Sequence, residues 1–198
     1  MEAKLSVKVP MERVGVVIGP KGKTKKGIEQ MAGVKLAVDS ETGNIDIAGT
    51  PELKDPSVIL QVQNMIRAIG RGFSPERASK LLDEDVYLEQ VDIRDYVGRS
   101  RNAQDRVRGR IIGKAGKARE IIEQVTRTYI SVYGYSISIV GLLQDIELAK
   151  KAIIMLIEGS FHKSVFNWLY QERGIQKRDF EIWEEASEEA PPPRRRLR

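Results

Sequence analysis

The stretch from Arg106 to Arg119, RVRGRIIGKAGKAR, contains six basic side chains, three glycines and no acid. A positive charge of this density without a counter-charge attracts an anion. Two of its glycines, Gly113 and Gly116, lie three residues apart, a spacing that lets the backbone turn sharply and lets a phosphate approach without a Cβ in its way. If a helix follows the loop, its unpaired N–H groups face the same anion. The stretch is therefore predicted to bind phosphate.

Two common phosphate-binding motifs do not fit this loop. A P-loop needs G-x-x-x-x-G-K-[ST], but the fifth residue after Gly109 is Lys114, and the fifth after Gly22 is Gly27, which Ile28 follows. The dinucleotide-binding fingerprint joins a strand to a helix, whereas the periodicity around Gly113 predicts a helix on both sides. The spacing therefore favours a G-x-x-G loop between two helices.

The same loop occurs a second time in the chain. The segment from Val17 to Gly49 aligns with the segment from Ile111 to Gly141 after one two-residue deletion behind Asp39. The aligned pairs are Gly19/Gly113, Gly22/Gly116, Lys23/Lys117, Ile28/Ile122, Glu29/Glu123 and Gln30/Gln124. An internal repeat of this length predicts two copies of one folding unit.

Each copy shows the same order of hydrophobic periodicities, which predicts an α+β unit of the order β-α-α-β-β-α. For the first copy the predicted elements are 5–9, 11–17, 23–32, 35–38, 44–48 and 55–69. For the second copy they are a strand within 87–96, a helix from 102, a helix to 127, strands 129–133 and 136–140, and a helix 144–158. Ser74 and Pro75 predict the start of a short connecting helix.

Two G-x-x-G loops followed by lysine, each inside such a unit, resemble a tandem KH-domain protein of the type I topology. That resemblance implies a fold in which the loop clamps about four nucleotides of a single strand. The expected domains are a first KH domain over 1–73, a connecting helix over 74–85, and a second KH domain with a C-terminal helix over 86–175. The acidic and arginine-rich end, 184–198, is expected to be disordered.

The segments GKTKKGIEQ, ISVYG and GRGFSPERASKLLDED resemble the Partner-of-Nob family of small-subunit ribosome maturation proteins. General KH domains have an aliphatic residue three positions after the second glycine, where this chain has Lys25 and Arg119. The resemblance implies binding near the 3′ end of small-subunit rRNA. It also implies two partners, a PIN-domain endonuclease and an rRNA dimethyladenosine methyltransferase. A cytoplasmic location is expected separately, because the sequence shows neither a signal-peptide pattern nor a membrane-spanning run.

The second copy is expected to be the principal RNA clamp, because Pro20 removes an N–H from the first loop and the acids Glu12, Asp39 and Glu41 lie near it. The expected RNA-binding residues are Arg108, Arg110, Ile111, Ile112, Gly113, Lys114, Ala115, Gly116, Lys117 and Arg119. A secondary contact to RNA or protein is expected from Gly19, Pro20, Lys21, Gly22, Lys23, Lys25 and Lys26. Within the first set, Arg110 also fits an ordinary surface position, and both isoleucines fit a core position.

Composition narrows the function classes. The chain has no cysteine and a single histidine, His162, which excludes disulfides, thiolate chemistry and Cys/His zinc sites. No cofactor, metal or catalytic residue is expected. A metal-dependent nuclease built on Asp83, Asp85, Asp92 and Asp95 is a weaker alternative, because that grouping lacks a basic companion. A tandem KH regulator of mRNA and an RNA-binding subunit of the exosome stay open.

Two further stripes bear on the site. The residues Phe161, Val165, Trp168 and Leu169 are predicted to pack on one face of a C-terminal helix. Tyr129, Ser131 and Tyr133 are predicted to point outward from a strand, where a tyrosine could stack on a base. The N-terminus lacks the apolar core of a signal peptide, and no run is long enough to span a membrane.

Overall fold

The structure, a computed structural model, describes residues 4–53 and 55–174. The segment 184–198, expected to be disordered, lies outside the described residues. The first unit runs as strand β1 (Lys4–Lys8), helices α1 (Met11–Ile18) and α2 (Lys23–Ala32), strands β2 (Val34–Val38) and β3 (Asn44–Gly49), and helix α3 (Ser57–Gly70). A short 3-10 turn, Pro20–Gly22, connects α1 to α2.

The sheet of the first unit has the order β1-β3-β2, with both neighbours antiparallel to the central strand. Alternate residues of the strands point to one face, where Ile45 and Ile47 are fully buried. Helix α3 covers this face through Val62, Ile66 and Ile69, all of them at 0% exposure. Residues two apart in the strands and residues three or four apart in the helix thus face each other and form one core.

The second unit repeats this order with two additions. It consists of β4 (Val86–Asp92), α5 (Arg94–Val97), α6 (Arg101–Ile112), α7 (Lys117–Thr126), β5 (Tyr129–Tyr133), β6 (Ser136–Leu142), α8 (Leu143–Ile157) and α9 (His162–Arg173). The single turn α5 and the helix α9 have no counterpart among the described residues of the first unit. Its sheet has the order β4-β6-β5. The predicted α+β class and the two copies are confirmed.

Helix α9 packs on α7 and α8, but not through the whole predicted stripe. Val165 and Leu169 are fully buried, whereas Phe161 is 80% exposed. The prediction for Phe161 was wrong because the helix begins only at His162, which leaves Phe161 at the N-cap and outside the buried face. The guanidinium of Arg173 fixes the end of the helix by donating to the Thr126 carbonyl and pairing with Asp145.

The two units are joined by a packed connector, α4 (Pro75–Ala78) and a 3-10 turn, Ser79–Leu82. Ser74 caps α4 by accepting from the Arg77 N–H, as its position before Pro75 predicts. Ala78 and Leu81 are buried in the core of the first unit, which also receives Val140 from the second sheet. The connector is therefore part of a continuous core that includes residues of both units.

Tyr129, Ser131 and Tyr133 lie on the face of β5 opposite Ile130 and Val132, but this face is covered and does not reach solvent. The Ser131 hydroxyl is buried and donates to the Arg71 carbonyl at 2.8 Å. The Tyr129 ring lies under the Arg77 guanidinium, 5.3 Å from its centroid, and packs against the core of the first unit. This face of β5 is covered by the connector and the first unit, so it offers no stacking surface for a base.

None of the described helices combines the length and apolar character needed to cross a bilayer.

Candidate nucleic-acid interface

The second G-x-x-G loop joins α6 to α7 through a backbone that only glycine can adopt at its first position. Gly113 has φ 72° and ψ 179°, and a Cβ there would lie 2.8 Å from the Ala118 nitrogen. Gly116 has φ 86°, but a Cβ built on it meets nothing within 4 Å. Gly113 is therefore required by the fold, whereas Gly116 keeps the surface in front of α7 open.

The first loop has the same backbone despite its different sequence. Gly19 has φ 71° and ψ 174°, and a Cβ there would collide with Thr24. The middle residues, Lys21 and Ala115, are both left-handed, with φ of 52° and 53°. In both loops the second glycine donates its N–H to the carbonyl of the first. Pro20 thus removes one N–H without altering the course of the chain.

Helix α7 begins at the second loop without a side-chain cap. The first N–H groups of a helix have no intrahelical partner, so those of α7 face the space left open by Gly116. Lys114 is exposed beside them and pairs with no carboxylate in the described part of the chain. Lys117 is half-buried in the first turn of α7. Together these groups form a site of positive potential suited to a phosphate.

The structure gives Arg110 a role in the fold. Its guanidinium donates from Nε to the Leu156 carbonyl at 3.1 Å and from Nη2 to the Ser160 carbonyl at 2.5 Å, which ties α6 to the C-terminal end of α8. His162 Nε2 in turn lies 2.7 Å from the Arg110 carbonyl. Because partly buried carbonyls occupy the guanidinium, we assign Arg110 to the fold and not to RNA contact. The hydrogen bonds of Arg108, in contrast, are exposed.

Arg108, two residues before Arg110, connects α6 to the second sheet. Arg108 donates from Nη1 to the Gly134 carbonyl at 2.8 Å and pairs with Asp105. This bond joins α6, the helix that leads into the loop, to the turn between β5 and β6. We refer to the surface between the G-x-x-G loop and the hairpin turn at Gly134 as the groove of the second unit.

The two isoleucines before the loop differ in their surroundings. Ile111 is fully buried in the core of the second unit, so the prediction of an RNA contact at Ile111 was wrong. Ile112 is half-exposed at the end of α6. Only Ile112 can therefore contribute an apolar edge to the groove.

Lys25 and Arg119 each lie beside a glutamate that occurs at the same position in both copies of the repeat. Glu29 accepts the Leu36 N–H at 2.9 Å, and Glu123 accepts the Ile130 N–H at 2.6 Å. Each glutamate thereby ties a helix to the neighbouring edge strand. Each also lies one helical turn after its cation, with Lys25 Nζ at 4.0 Å from Glu29 and Arg119 Nε at 3.7 Å from Glu123. Sequence reasoning found these glutamates in the alignment but missed their role.

The turns between the last two strands of each sheet differ in charge. In the first unit Asp39 accepts the Glu41 and Thr42 N–H groups and the Thr42 hydroxyl. These hydrogen bonds, that of the Thr42 side chain foremost, lower the pKa of the Asp39 carboxyl, so it remains ionised. The second turn consists of Gly134 and Tyr135 and has no acid. The groove of the second unit is the less acidic of the two.

Two of the four aspartates considered for a nuclease, Asp83 and Asp92, accept from other groups of the protein. Asp83 accepts the Asp85 N–H at 3.1 Å, and Asp92 forms an ion pair with Arg94 at 2.6 Å. The hydrogen bond from Arg94 lowers the pKa of the Asp92 carboxyl. Within residues 4–53 and 55–174, no group of three or more His, Asp or Glu side chains is arranged to hold a metal ion.

Family models match both halves of the chain. Residues 87–174 match the second KH domain of PNO1, described as a eukaryotic type KH domain of type I, and residues 4–58 match a KH domain. A KH domain-containing protein of Methanocaldococcus jannaschii is 44% identical, over 92% of this chain and 80% of that protein.

A solved structure and a more distant relative are connected by name with ribosomal RNA. The crystal structure of an a/eIF2alpha-aDim2p-rRNA complex from Pyrococcus horikoshii contains a chain that is 43% identical, with a TM-score of 0.84 over 89% of this chain and 97% of that one. The pre-rRNA-processing protein pno1 of Schizosaccharomyces pombe is 28% identical over 64% of this chain, which spans about half of that protein, 53%.

Proposed function

The chain belongs to the PNO1/Dim2 family of KH-domain proteins, and from this premise we propose that it is a non-catalytic RNA-binding factor in ribosome assembly. Its target is single-stranded RNA near the 3′ end of small-subunit rRNA. The similar Pyrococcus chain, whose crystal structure is that of a complex with rRNA, supports this target.

The observation that carries the proposal is the geometry of the second loop. Gly116 leaves open space in front of α7, the helix has no side-chain cap, and Lys114 is exposed beside it. A phosphodiester can accept hydrogen bonds from the backbone there while the bases lie along the groove toward Gly134. The RNA-binding set of the second unit is then Arg108, Ile112, Gly113, Lys114, Ala115, Gly116 and Lys117, with Arg119 held in place by Glu123.

The first loop has the same backbone but a weaker electrostatic setting, and we assign it a secondary role. Pro20 offers no N–H, and Asp39 and Glu41 lie on the opposing turn. Its exposed lysines, Lys21, Lys23 and Lys26, support an assisting contact to RNA or to a protein. The type I topology, the domain limits 1–73, 74–85 and 86–175, and a cytoplasmic site of action form part of the same proposal.

The protein partners follow from family membership. A PIN-domain endonuclease and an rRNA dimethyladenosine methyltransferase act on the same region of rRNA in the family that the sequence resembles, and we propose both as partners. The Pyrococcus complex adds the alpha subunit of a/eIF2 as a third. The assembly factor would then hold the 3′ end of the rRNA in a single-stranded state while enzymes supplied by other chains act on it.

Crosslinking the protein to RNA in cells, followed by sequencing of the crosslinked sites, tests the target. We expect the sites to concentrate at the 3′ end of small-subunit rRNA, and scattered mRNA sites would favour the mRNA regulator instead. Incubation of labelled RNA with magnesium or manganese tests the absence of catalysis. Cleavage that disappears in the Asp83→Asn, Asp85→Asn variant would overturn the non-catalytic assignment.

A further inference from the structure

A cationic cleft lies where the two units meet, away from both G-x-x-G loops. It has a volume of about 380 Å³ and lies between β1, the end of α3 and strand β4. Its charged lining residues are Lys8, Arg67 and Arg71, and Gln90 of the second unit closes one side. Among the described residues, no carboxylate lines it. Three cations around one open cleft produce a local positive potential that favours an anion.

Two of these cations are available for a ligand. Lys8 and Arg67 are exposed, and neither forms an ion pair or side-chain hydrogen bond within the described part of the chain. Arg71 is half-buried, and its guanidinium lies 5.7 Å from the centroid of the Tyr135 ring. Arginine and lysine side chains at such positions are the usual partners of phosphate oxygens.

Two acids, Asp92 and Glu12, lie near Arg71, and Arg94 neutralises the first of them. Asp92 is bound by the Arg94 side chain through hydrogen bonds of 2.6 to 3.1 Å, so this pair is neutral as a unit. Arg94 in turn stacks on the Tyr135 ring at 3.5 Å. Glu12 lies near Tyr133, where burial of the phenol and the neighbouring carboxylate raise the pKa of Tyr133. Arg13, next to it, donates to two backbone carbonyls, of Ile69 and Phe73.

The cleft is connected to the groove of the second unit by its hairpin turn. Gly134 of this turn accepts a hydrogen bond from Arg108 on the groove side. The next residue, Tyr135, contacts Arg94 and lies beside Arg71 on the cleft side. An RNA strand that leaves the groove past this turn therefore reaches Arg71 first, and then Arg67 and Lys8.

We propose that the cleft lined by Lys8, Arg67 and Arg71 binds backbone phosphates of the same RNA strand that the second G-x-x-G loop clamps. The inference rests on the proposed RNA binding and extends the bound segment beyond the four or so nucleotides that one KH loop holds. The fixed packing of the two units would then serve RNA binding, because the cleft exists only while β4 lies against α3 and β1.

The test compares two RNAs that share one core sequence. The short RNA has about four nucleotides, the span of one loop, and the long RNA has roughly three times that length. The Lys8→Gln, Arg67→Gln variant removes two exposed charges of the cleft. The Lys151→Gln, Lys163→Gln variant removes two exposed charges on α8 and α9, which matches the change in net charge elsewhere on the surface. Thermal melting checks that both variants fold.

The cleft variant should bind the long RNA several-fold more weakly and the short RNA as the unchanged protein does. Since each phosphate contact on a single strand contributes about 0.7 to the slope of log affinity against log salt, the slope for the long RNA should fall by about 1.4. The control variant should leave both affinities and both slopes nearly unchanged.

Three results would overturn the inference. Equal losses for both RNAs, or equal losses in the cleft and control variants, would indicate only a general charge effect. An unchanged affinity of the cleft variant for the long RNA would indicate that the cleft binds an acidic protein partner instead. Saturation by inorganic phosphate, seen as chemical-shift changes at Lys8 and Arg67 that the long RNA does not reverse, would indicate a free-anion site. An unchanged protein that binds neither RNA would instead overturn the proposed function itself.

Discussion

At the scale of single residues, the two glycines of the second loop have separate tasks. Gly113 combines φ 72° with ψ 179° and a clash against Ala118, whereas Gly116 has free space around it. Backbone strain at such angles costs about 1 to 3 kcal/mol. The fold therefore depends on the first glycine, and access of a phosphate depends on the second.

We expect Gly113→Ala to lower the free energy of unfolding by more than Gly116→Ala, because only the former adds a collision with a backbone atom. A left-handed alanine at position 116 should cost about 1 to 2 kcal/mol and leave a folded protein whose RNA affinity is reduced. Denaturant unfolding and RNA titration measure the two effects. Equal stability of both variants would contradict the division of tasks.

Much of the residue-scale account could be predicted from the sequence. The loop and its lysines were found because glycine spacing and charge are visible along one segment. The carbonyl partners of Arg110, at Leu156 and Ser160, lie 46 and 50 residues away. The Tyr129 ring is covered by the guanidinium of Arg77 in the connector. Such contacts depend on how elements pack, and no local pattern encodes them.

At the scale of elements, the repeated glutamates hold each loop-bearing helix to its edge strand. Glu29 makes this bond with one cation beside it, whereas Glu123 also pairs with Arg77 of the connector at 3.3 Å. Hydrogen bonds to charged groups contribute about 1.5 to 3 kcal/mol each. The second glutamate therefore connects three elements, α7, β5 and α4.

We expect Glu123→Ala to reduce the free energy of unfolding by about 2 to 4 kcal/mol, and Glu29→Ala by about 1 to 2 kcal/mol. Both variants lose the helix-to-strand bond, but only the first leaves two arginines near α7 without their carboxylate. Chemical denaturation with two matched variants measures the difference. A larger loss for Glu29→Ala would contradict the role assigned to Glu123.

At the scale of the whole molecule, the connector and the second sheet make the two units one body. Leu81 is 2% exposed in the core of the first unit, and Val140 of β6 reaches the same core. The order of elements within each unit could be predicted from periodicity and the repeat. The packing of the connector between the units could be predicted from its apolar residues Ala78, Leu81 and Leu82. The contact of strand β6 with the first unit could not, because β6 reads as an ordinary SISIV alternation although both of its faces are buried.

Leu81→Ala should destabilise both units together, by about 2 to 5 kcal/mol for a buried leucine. The unfolding curve should remain a single transition when it is followed by signals from each half. NMR relaxation of the unchanged protein should give one rotational correlation time for residues 4–53 and 86–174. Independent tumbling of the halves would contradict the single body and remove the basis of the cationic cleft.

The central claim is that the second loop is the principal RNA clamp, and paired charge reversals test it most directly. Lys114→Asp with Ala115→Asp, and Pro20→Asp with Lys21→Asp, each change the net charge by the same amount. Aspartate tolerates the left-handed conformation of positions 115 and 21 better than most residues, so both proteins should fold. Circular dichroism provides the control.

Single-stranded RNA is titrated against both proteins at several salt concentrations. The Lys114→Asp, Ala115→Asp protein should lose binding, with a slope of log affinity against log salt flattened by about 1.5 to 2, which corresponds to two or three lost phosphate contacts. The Pro20→Asp, Lys21→Asp protein should lose less affinity and less slope. If it loses more of both, the principal clamp is the loop from Gly19 to Gly22, and the assignment of Gly113 to Gly116 is wrong.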